Sequence, residues 1–432
     1  MPSFTLFFFI ITNESKEDGL YGSWFTRDSV LPYLEEIPEA PSNQDLCFST
    51  KVGEIVKRVA CMAKNHNITV VVNMGEVQYC NGKSGCPADG RLQFNTQIAV
   101  NEKGFLLAKY HKTHLYFEPQ WNAGDGKAVF FTTSFRVKIG LMICFDLMFE
   151  FPQSELLSLG VRDVAYSSWW VNTPPLISAT QSQQSWSRKN KVNLMASGIG
   201  LNMYSSGSGV YDGQDGTFQS FFNPVFSPDE KLLVKKIPVL TQKVETLAQL
   251  NLLDKQRQPL KKKQEKFSWP DIWKEAGLKP TVKSFKPLPG FKDTLQVQYG
   301  NLTCIASYSV SNTNFSSGEL FALVAFNGNY IVQDTVLFPL QLCALVKCGN
   351  ESDSSCGQFS MQSNTPFDSF QLTTTSFHSL SEKFFMLASD NLQIVDSSFS
   401  SFEQNNSTST FFSTQNLKQL PIVSACMYSV KW

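Results

Sequence analysis

"RVKIGLMICFDLMFE", residues 136–150, decides the reading of this chain. Val137, Ile139, Leu141, Met142 and Ile143 make a short, strongly apolar run that predicts a buried strand, and the strand closes on one thiol, Cys144, followed at once by Phe145 and Asp146. Just downstream, "PQSELLSLGV" (152–161) has helical periodicity ended by Gly160, and "RDVAYSSWW" (162–170) is strand-like again. Upstream, "KVGEIVKRVACMAKNH" (51–66) sets Val52, Val56, Val59, Ala60 and Met62 at helical spacing and runs into the β-branched stretch "ITVVVNMG" (68–75). "LQFNTQIAVNEKGFLLAKYHK" (92–112) reads as two strands turned at Asn101 to Gly104. This alternation of strand and helix predicts an α/β layered fold.

The chain has 432 residues, long for a single core, and predicts two domains. Composition changes at about 241–290, where "TQKVETLAQLNLLDKQRQPLKKKQEKF" is polar and charged and "KPLPG" follows, so this stretch is expected to be a linker. Its basic run, Lys261 to Lys263, reads as a solvated linker face rather than a binding patch. Beyond it, short runs such as "ELFALVAFNGNYIVQ" (319–333) and "FPLQLCALVKCG" (338–349) alternate with Ser, Asn and Gly and predict a smaller, mostly β unit. The Ser-rich stretch 395–415 is expected to be a loose loop.

Lys plus Arg and Asp plus Glu both total 37, so no long-range field steers the chain to nucleic acid or an anionic membrane, and a small neutral partner is expected. The N-terminal apolar run Phe4–Ile11 lacks a basic flank and a small-residue cleavage site, which makes it a poor signal peptide and too short to span a bilayer. No transmembrane segment and no hydrophobic C-terminal tail for a lipid anchor are read. With no C-x-x-C and four histidines (His66, His111, His114, His378), no metal site and no cofactor are expected. Several of the ten cysteines are near neighbours, Cys80 with Cys86 and Cys348 with Cys356 in polar loops, as local disulfides are. N-x-S/T acceptors at Asn13, Asn67, Asn301, Asn314, Asn350, Asn405 and Asn406 add to the same picture of an oxidising, secretory compartment.

Cys144 has no near partner, and three readings of it stand side by side: a buried inert thiol, half of a disulfide, or a nucleophile. A nucleophile needs a base and a group to hold developing negative charge. "KYHKTHLYFE" (109–118) gives no convincing Cys and His pairing, which leaves a carboxylate base and a lysine ammonium as candidates.

"KEDGLYGSWFTRDSVLPYLEEIPEAP" (16–41), "KYHKTHLYFE" and "ICFDLMFE" (143–150), in that order, resemble the biotinidase and vanin (pantetheinase) branch of the nitrilase, or carbon-nitrogen hydrolase, superfamily. "YSSWWVNTPPLISA" (166–179), "GSGVYDG" (207–213) and the C-terminal runs with "SSCG" (354–357) extend the resemblance over nearly all of residues 17–432. It implies a four-layer αββα nitrilase-type sandwich over 1–240, the linker 241–290, and a vanin-type β-rich unit over 291–432. It implies a triad of Glu17 as base, Lys112 as oxyanion stabiliser and Cys144 as nucleophile. Glu118 would support the lysine, while Phe145, Trp169 and Trp170 would line or support the substrate pocket, Trp170 equally fitting a packed core.

Glu17 stands near the start, with Lys16 in place of the family's proline and "TNES" (12–15) where a strand leads into it, so the domain is expected to lack its N-terminal start. The expected activity is hydrolysis of a linear amide such as pantetheine or a biotinyl amide. The alternative is an inactive secreted glycoprotein of the same fold that acts by binding. If Cys144 is free, the expected disulfides are 47 with 61, 80 with 86, 304 with 343 and 348 with 356, leaving Cys426 over. Oligomeric state is not legible.

Overall fold

The computed structural model describes residues 25–82, 84–173, 175–199, 204–224, 229–240, 280–311, 318–332, 335–357, 362–374, 381–390, 393–395, 400–405, 409–415 and 422–431. Glu17, Asn13 and the basic run at 261–263 lie outside these residues. After a single turn, α1 (Arg27–Val30), the first long element is α2 (Glu54–His66). Val56, Val59, Ala60 and Ala63 form one buried stripe along α2, and Asn67 ends it in the left-handed region at φ 52°. The stripe packs on Val70, Val72, Ile98 and Val100 of an antiparallel sheet of β1 (Val70–Tyr79), β2 (Arg91–Val100) and β3 (Leu106–His111). The β2–β3 turn falls where the sequence predicts it, with the Gly104 amide donating to the Asn101 carbonyl at 2.9 Å.

The opposite face of that sheet packs against a second, in which β4 (Phe130–Thr132), β5 (Lys138–Ile143), β6 (Asp163–Ser168), β7 (Asn193–Gly198), β8 (Ser208–Tyr211) and β9 (Phe218–Phe221) lie in that order. Strands β5, β6 and β7 are parallel. Val71, Ala99, Ala108 and Tyr110 meet Ile139, Leu141, Ile143 and Ala165 between the sheets. The period-two alternation of β5 sends Leu141 and Ile143 inward and Met142 outward toward α3 (Gln153–Ser158) and α4 (Ala179–Asn190), completing the αββα layers.

The C-terminal part is a sandwich of two five-stranded antiparallel sheets. One has the order β10 (Thr281–Phe285), β13 (Leu320–Val332), β14 (Thr335–Cys348), β19 (Ile422–Lys431), β16 (Ser381–Ser389). The other has the order β11 (Lys292–Tyr299), β12 (Leu302–Val310), β15 (Phe367–Thr374), β18 (Ser409–Gln415), β17 (Ser400–Asn405). In "LFALVAF" (320–326), Phe321, Leu323 and Ala325 point into the sandwich while Ala322, Val324 and Phe326 point out against Trp186, Met148 and their neighbours. A sheet covered on both faces is why that run is apolar without alternation.

Strand β10 carries sheet structure into the end of the stretch expected as linker, whose residues 241–279 lie outside those described. The loose loop expected at 395–415 is instead in large part a strand pair: β17 pairs β18, which pairs β15. Main-chain pairing onto an existing sheet orders a Ser-rich segment that has no apolar run to announce it. Helix α4 was not legible either, because apart from Ala179 and Trp186 its buried residues are polar: Thr180, Gln181, Ser182, Gln183, Gln184, Ser185 and Ser187. Their partners come from the tertiary structure: Ser185 Oγ accepts from the Phe385 amide (2.8 Å) and Gln184 Nε2 donates to the Val395 carbonyl (2.9 Å).

All four expected disulfides form: Cys47–Cys61, Cys80–Cys86, Cys304–Cys343 and Cys348–Cys356, with Cys144 and Cys426 free. Four bridges fit a secreted or extracellular protein. Among the described residues no helix is long and apolar enough to cross a membrane.

Candidate active site

The buried apolar strand β5 delivers Cys144 to the edge of the sandwich. Cys144 itself has φ 47°, in the left-handed region, and the next residues form a 3-10 turn, Cys144–Met148. A non-glycine residue held there costs about 1–2 kcal/mol, so the surrounding contacts must over-determine it. Three of them are visible. The Asp146 carboxylate accepts from the Ile143 amide (3.0 Å), the His114 amide (2.9 Å) and the Tyr110 hydroxyl (2.8 Å), tying the turn to its own strand and to the segment after β3. The Tyr166 hydroxyl donates to the Cys144 carbonyl at 2.7 Å. The Cys144 thiol, half-buried, donates to the Trp169 carbonyl at 3.5 Å.

Lys112 follows the last residue of β3. Its amide donates to the Asn95 carbonyl (2.9 Å) and its carbonyl accepts from the Gly124 amide (2.8 Å). A Cβ on Gly124 would stand 2.3 Å from the His111 carbonyl oxygen, so only glycine allows that approach. The ammonium is buried and paired with the Glu118 carboxylate. Glu118 is held in turn by Asn95 Nδ2 (2.9 Å) and the Tyr116 amide (3.0 Å), and Asn95 Oδ1 accepts from Asn73 Nδ2 (2.8 Å). Asn73, Asn95, Glu118 and Lys112 therefore make one buried chain leading from the middle of β1 toward the thiol.

The electrostatics follow from burial and this pairing. Burial works against the Lys112 charge, but the nearby Glu118, Cys144 and Asp146 outweigh it and hold the lysine pKa above its ordinary value. Burial pushes the Cys144 thiol up, with Lys112 pulling it back only in part. The resting sulfur is thus a thiol beside a permanent cation, and it needs a base. Burial also pushes Asp146 up to about 6.

Of the residues singled out from the sequence, Lys112, Glu118, Cys144, Phe145 and Trp169 come together here, while Glu17 lies outside the described residues. Phe145 is buried and packs edge-on against Tyr116. Trp169 contributes its carbonyl to the thiol. Trp170 belongs to the packed core, and its indole N–H donates to the Ile177 carbonyl (3.0 Å). The two histidines flanking Lys112 are committed elsewhere: His111 Nε2 meets the buried Glu76 carboxylate at 2.8 Å, and His114 Nε2 meets the Phe151 carbonyl at 2.9 Å. Burial lowers His114 to about 4, so it is neutral at pH 7. Asn73, Asn95, Tyr110 and Tyr166 were missed, because single polar residues inside strands carry no signal until their partners are known; Asp146, next to the thiol in "CFD", offered the one available cue.

Comparison with known proteins bears on the same segments. The family model described as carbon-nitrogen hydrolase matches residues 29–152, which include Lys112 and Cys144, and that of the vanin C-terminal domain matches residues 279–432. The biotinidase of Takifugu rubripes is 32% identical over 361 residues, covering 79% of this chain and 70% of that protein. This chain belongs to the carbon-nitrogen hydrolase family, in its biotinidase and vanin branch. The pantetheinases of Bos taurus and Homo sapiens are 31% and 30% identical, each covering 83% of this chain and 69% of theirs. Among solved structures, a Saccharomyces cerevisiae member of branch 10 of the nitrilase superfamily aligns with TM-score 0.34 and 23% identity, over 44% of this chain and 65% of that one. As a carbon-nitrogen hydrolase, the chain is an enzyme that hydrolyses amides.

Proposed function

We propose that this carbon-nitrogen hydrolase cleaves a linear carboxamide through a thioester on Cys144. The observation that carries the reading is the thiol turned out at the end of β5 beside a buried, charged lysine. In this scheme the Glu17 carboxylate takes the Cys144 proton, and the thiolate attacks the carbonyl carbon. Negative charge on the tetrahedral oxygen is met by the Lys112 ammonium and the Phe145 N–H, a role worth a few kcal/mol per donor. Collapse breaks the C–N bond, the amine leaves with the proton held by Glu17, and the acyl group stays on sulfur. Glu17 then deprotonates a water that attacks the thioester, releasing the carboxylic acid and restoring the thiol. Glu118, fixed by Asn95, keeps Lys112 charged and aimed.

The substrates inferred from the relatives' names are pantetheine or a biotinyl amide such as biocytin. With this reading goes the division into a hydrolase unit over 1–240, a linker over 241–290 and a vanin-type unit over 291–432, in a secreted glycoprotein. The acceptors Asn67, Asn301 and Asn350 are all exposed.

The test is intact-mass spectrometry of the chain and of its Cys144→Ala variant after brief incubation with pantetheine or biocytin, with release of cysteamine or lysine followed in parallel. A pantothenoyl or biotinyl adduct confined to the Cys144 form, with amine release, is the expected result. No adduct and no amine from a folded chain would turn the reading toward binding without catalysis.

A further inference from the structure

The aromatic side chains around the nucleophile do not all come from the layers that carry it. Tyr330 in β13 and Phe338 in β14, both buried, stack with ring centroids 5.2 Å apart and planes 10° apart. Phe338 lies 6.0 Å from Phe145, the residue after the thiol, and Phe145 packs edge-on against Tyr116 at 5.0 Å. The Tyr330 and Thr173 hydroxyls are hydrogen-bonded at 3.0 Å, and Thr173 sits in the segment that starts at Trp169. These contacts close a ring. The Cys144 thiol meets the Trp169 carbonyl, the Trp169 segment reaches Tyr330 through Thr173, Tyr330 stacks on Phe338, and Phe338 leans on Phe145 next to Cys144.

The β13–β14 hairpin is therefore fastened to both segments that present the sulfur, although it belongs to the C-terminal sandwich. Within the ring, Cys144, Trp169 and Thr173 keep part of their surface open, as does Tyr116 beside Phe145. Burial raises the Tyr116 phenol, and Tyr330 and Cys144 are the next groups that raise it, so the three lie within electrostatic reach of one another. The chemistry of this wall is specific. Aromatic rings suit methylene-rich chains, and the paired hydroxyls of Tyr330 and Thr173 use one donor between them, leaving a second donor and lone pairs uncommitted by that bond.

We propose that the hairpin is the far wall of the acyl pocket and that Tyr330, anchored by Thr173, selects linear amides whose acyl chain is long enough to bring a hydrogen-bonding group to it. This rests on the amidase reading of Cys144. Short aliphatic amides stop before the wall and gain nothing from it.

The experiment uses the full chain with Tyr330→Phe, Thr173→Val and both together. Tyr330→Phe keeps the stack on Phe338 and removes only the hydroxyl. KM for biocytin or pantetheine is expected to rise 5- to 10-fold in each single variant, with kcat within twofold and the double variant no worse than the singles. The rate at which iodoacetamide, too small to reach the wall, alkylates Cys144 is expected to stay within twofold. Unchanged KM, or equal losses in kcat and alkylation, would mean the hairpin is packing and overturn the proposal. If the native chain is alkylated at Cys144 yet turns over neither amide, the amidase reading fails separately. The wall is then read from protection of Cys144 by biotin or pantothenate: protection lost in Tyr330→Phe supports it, and protection equal in both forms, or absent from both, overturns it.

Discussion

The two sandwiches fill their interiors differently. Between the C-terminal sheets the described side chains are largely apolar, with Val297, Ala306, Phe321, Leu323, Leu345, Leu372 and Met427 packed around the Cys304–Cys343 bridge that joins β12 of one sheet to β14 of the other, and the buried polar groups on those inner strands, Gln341, Thr374 and Ser429, are uncharged. The N-terminal sandwich holds a comparable apolar layer between its sheets, but beside it buries Asn73, Asn95, Gln97, Lys112, Glu118 and Asp146. Burying polar groups costs free energy unless each finds a partner, and a buried ion pair rarely adds net stability. One unit is built for stability, while the other concedes stability to hold a cation and a thiol in place.

Substitutions separate the roles of the two interiors. The largest expected effect is on turnover alone: Cys144→Ala should lower kcat/KM about 10,000-fold or more, roughly 5.5 kcal/mol of barrier, while the melting temperature stays unchanged. An active variant in a steady-state assay with pantetheine or biocytin would remove Cys144 as nucleophile. The converse holds in the other sandwich. Replacing Cys304 and Cys343 together by Ala opens a 39-residue loop and is expected to cost about 4 kcal/mol of stability in denaturant titration, without loss of turnover below the transition. A lost kcat in a demonstrably folded variant would mean the two interiors are not separable.

Lys112→Met tests the concession itself. Glu118 is left buried without its counter-charge, so about 3 kcal/mol of stability should be lost along with activity. Adding Glu118→Leu should restore the stability but not the activity. Recovery of both would leave Lys112 no part in chemistry. The smallest effect is in pH dependence. Because burial raises the Cys144 thiol, less thiolate is present at a given pH than for an ordinary cysteine. Alkylation by iodoacetamide is expected to climb about tenfold per pH unit and to level off later than for free cysteine. Lys112→Met should push that plateau further up, since the lysine lowers the thiol's pKa; a shift downward would contradict the pairing.

Much of this was legible. The strand ending at Cys144, the turn at Asn101–Gly104, helix α2 and the two local disulfides, Cys80–Cys86 and Cys348–Cys356, follow from periodicity, turn residues and spacing, all short-range signals, whereas the Cys304–Cys343 bridge spans 39 residues and is decided by the packing of the two sheets. Lys112 and Glu118 were found through motif resemblance, since an isolated lysine otherwise reads as surface. Helix α4 and the β17–β18 pair were not found, because much of what holds them comes from elements far along the chain, Phe385 and Val395 for α4 and β15 for β18.

Periodicity, turn residues and motifs read in order were enough to show which segments are apolar, where the chain turns and which cysteines lie close enough for a local bridge, because these depend on neighbours a few residues apart. The tertiary structure decided that Asn73 and Asn95 hold Glu118, that Asp146 pins the turn at Cys144, and that Tyr330 reaches Thr173 across 157 positions. A buried polar group is defined by its partner, and a partner supplied by another strand or another sheet leaves no local mark in the sequence.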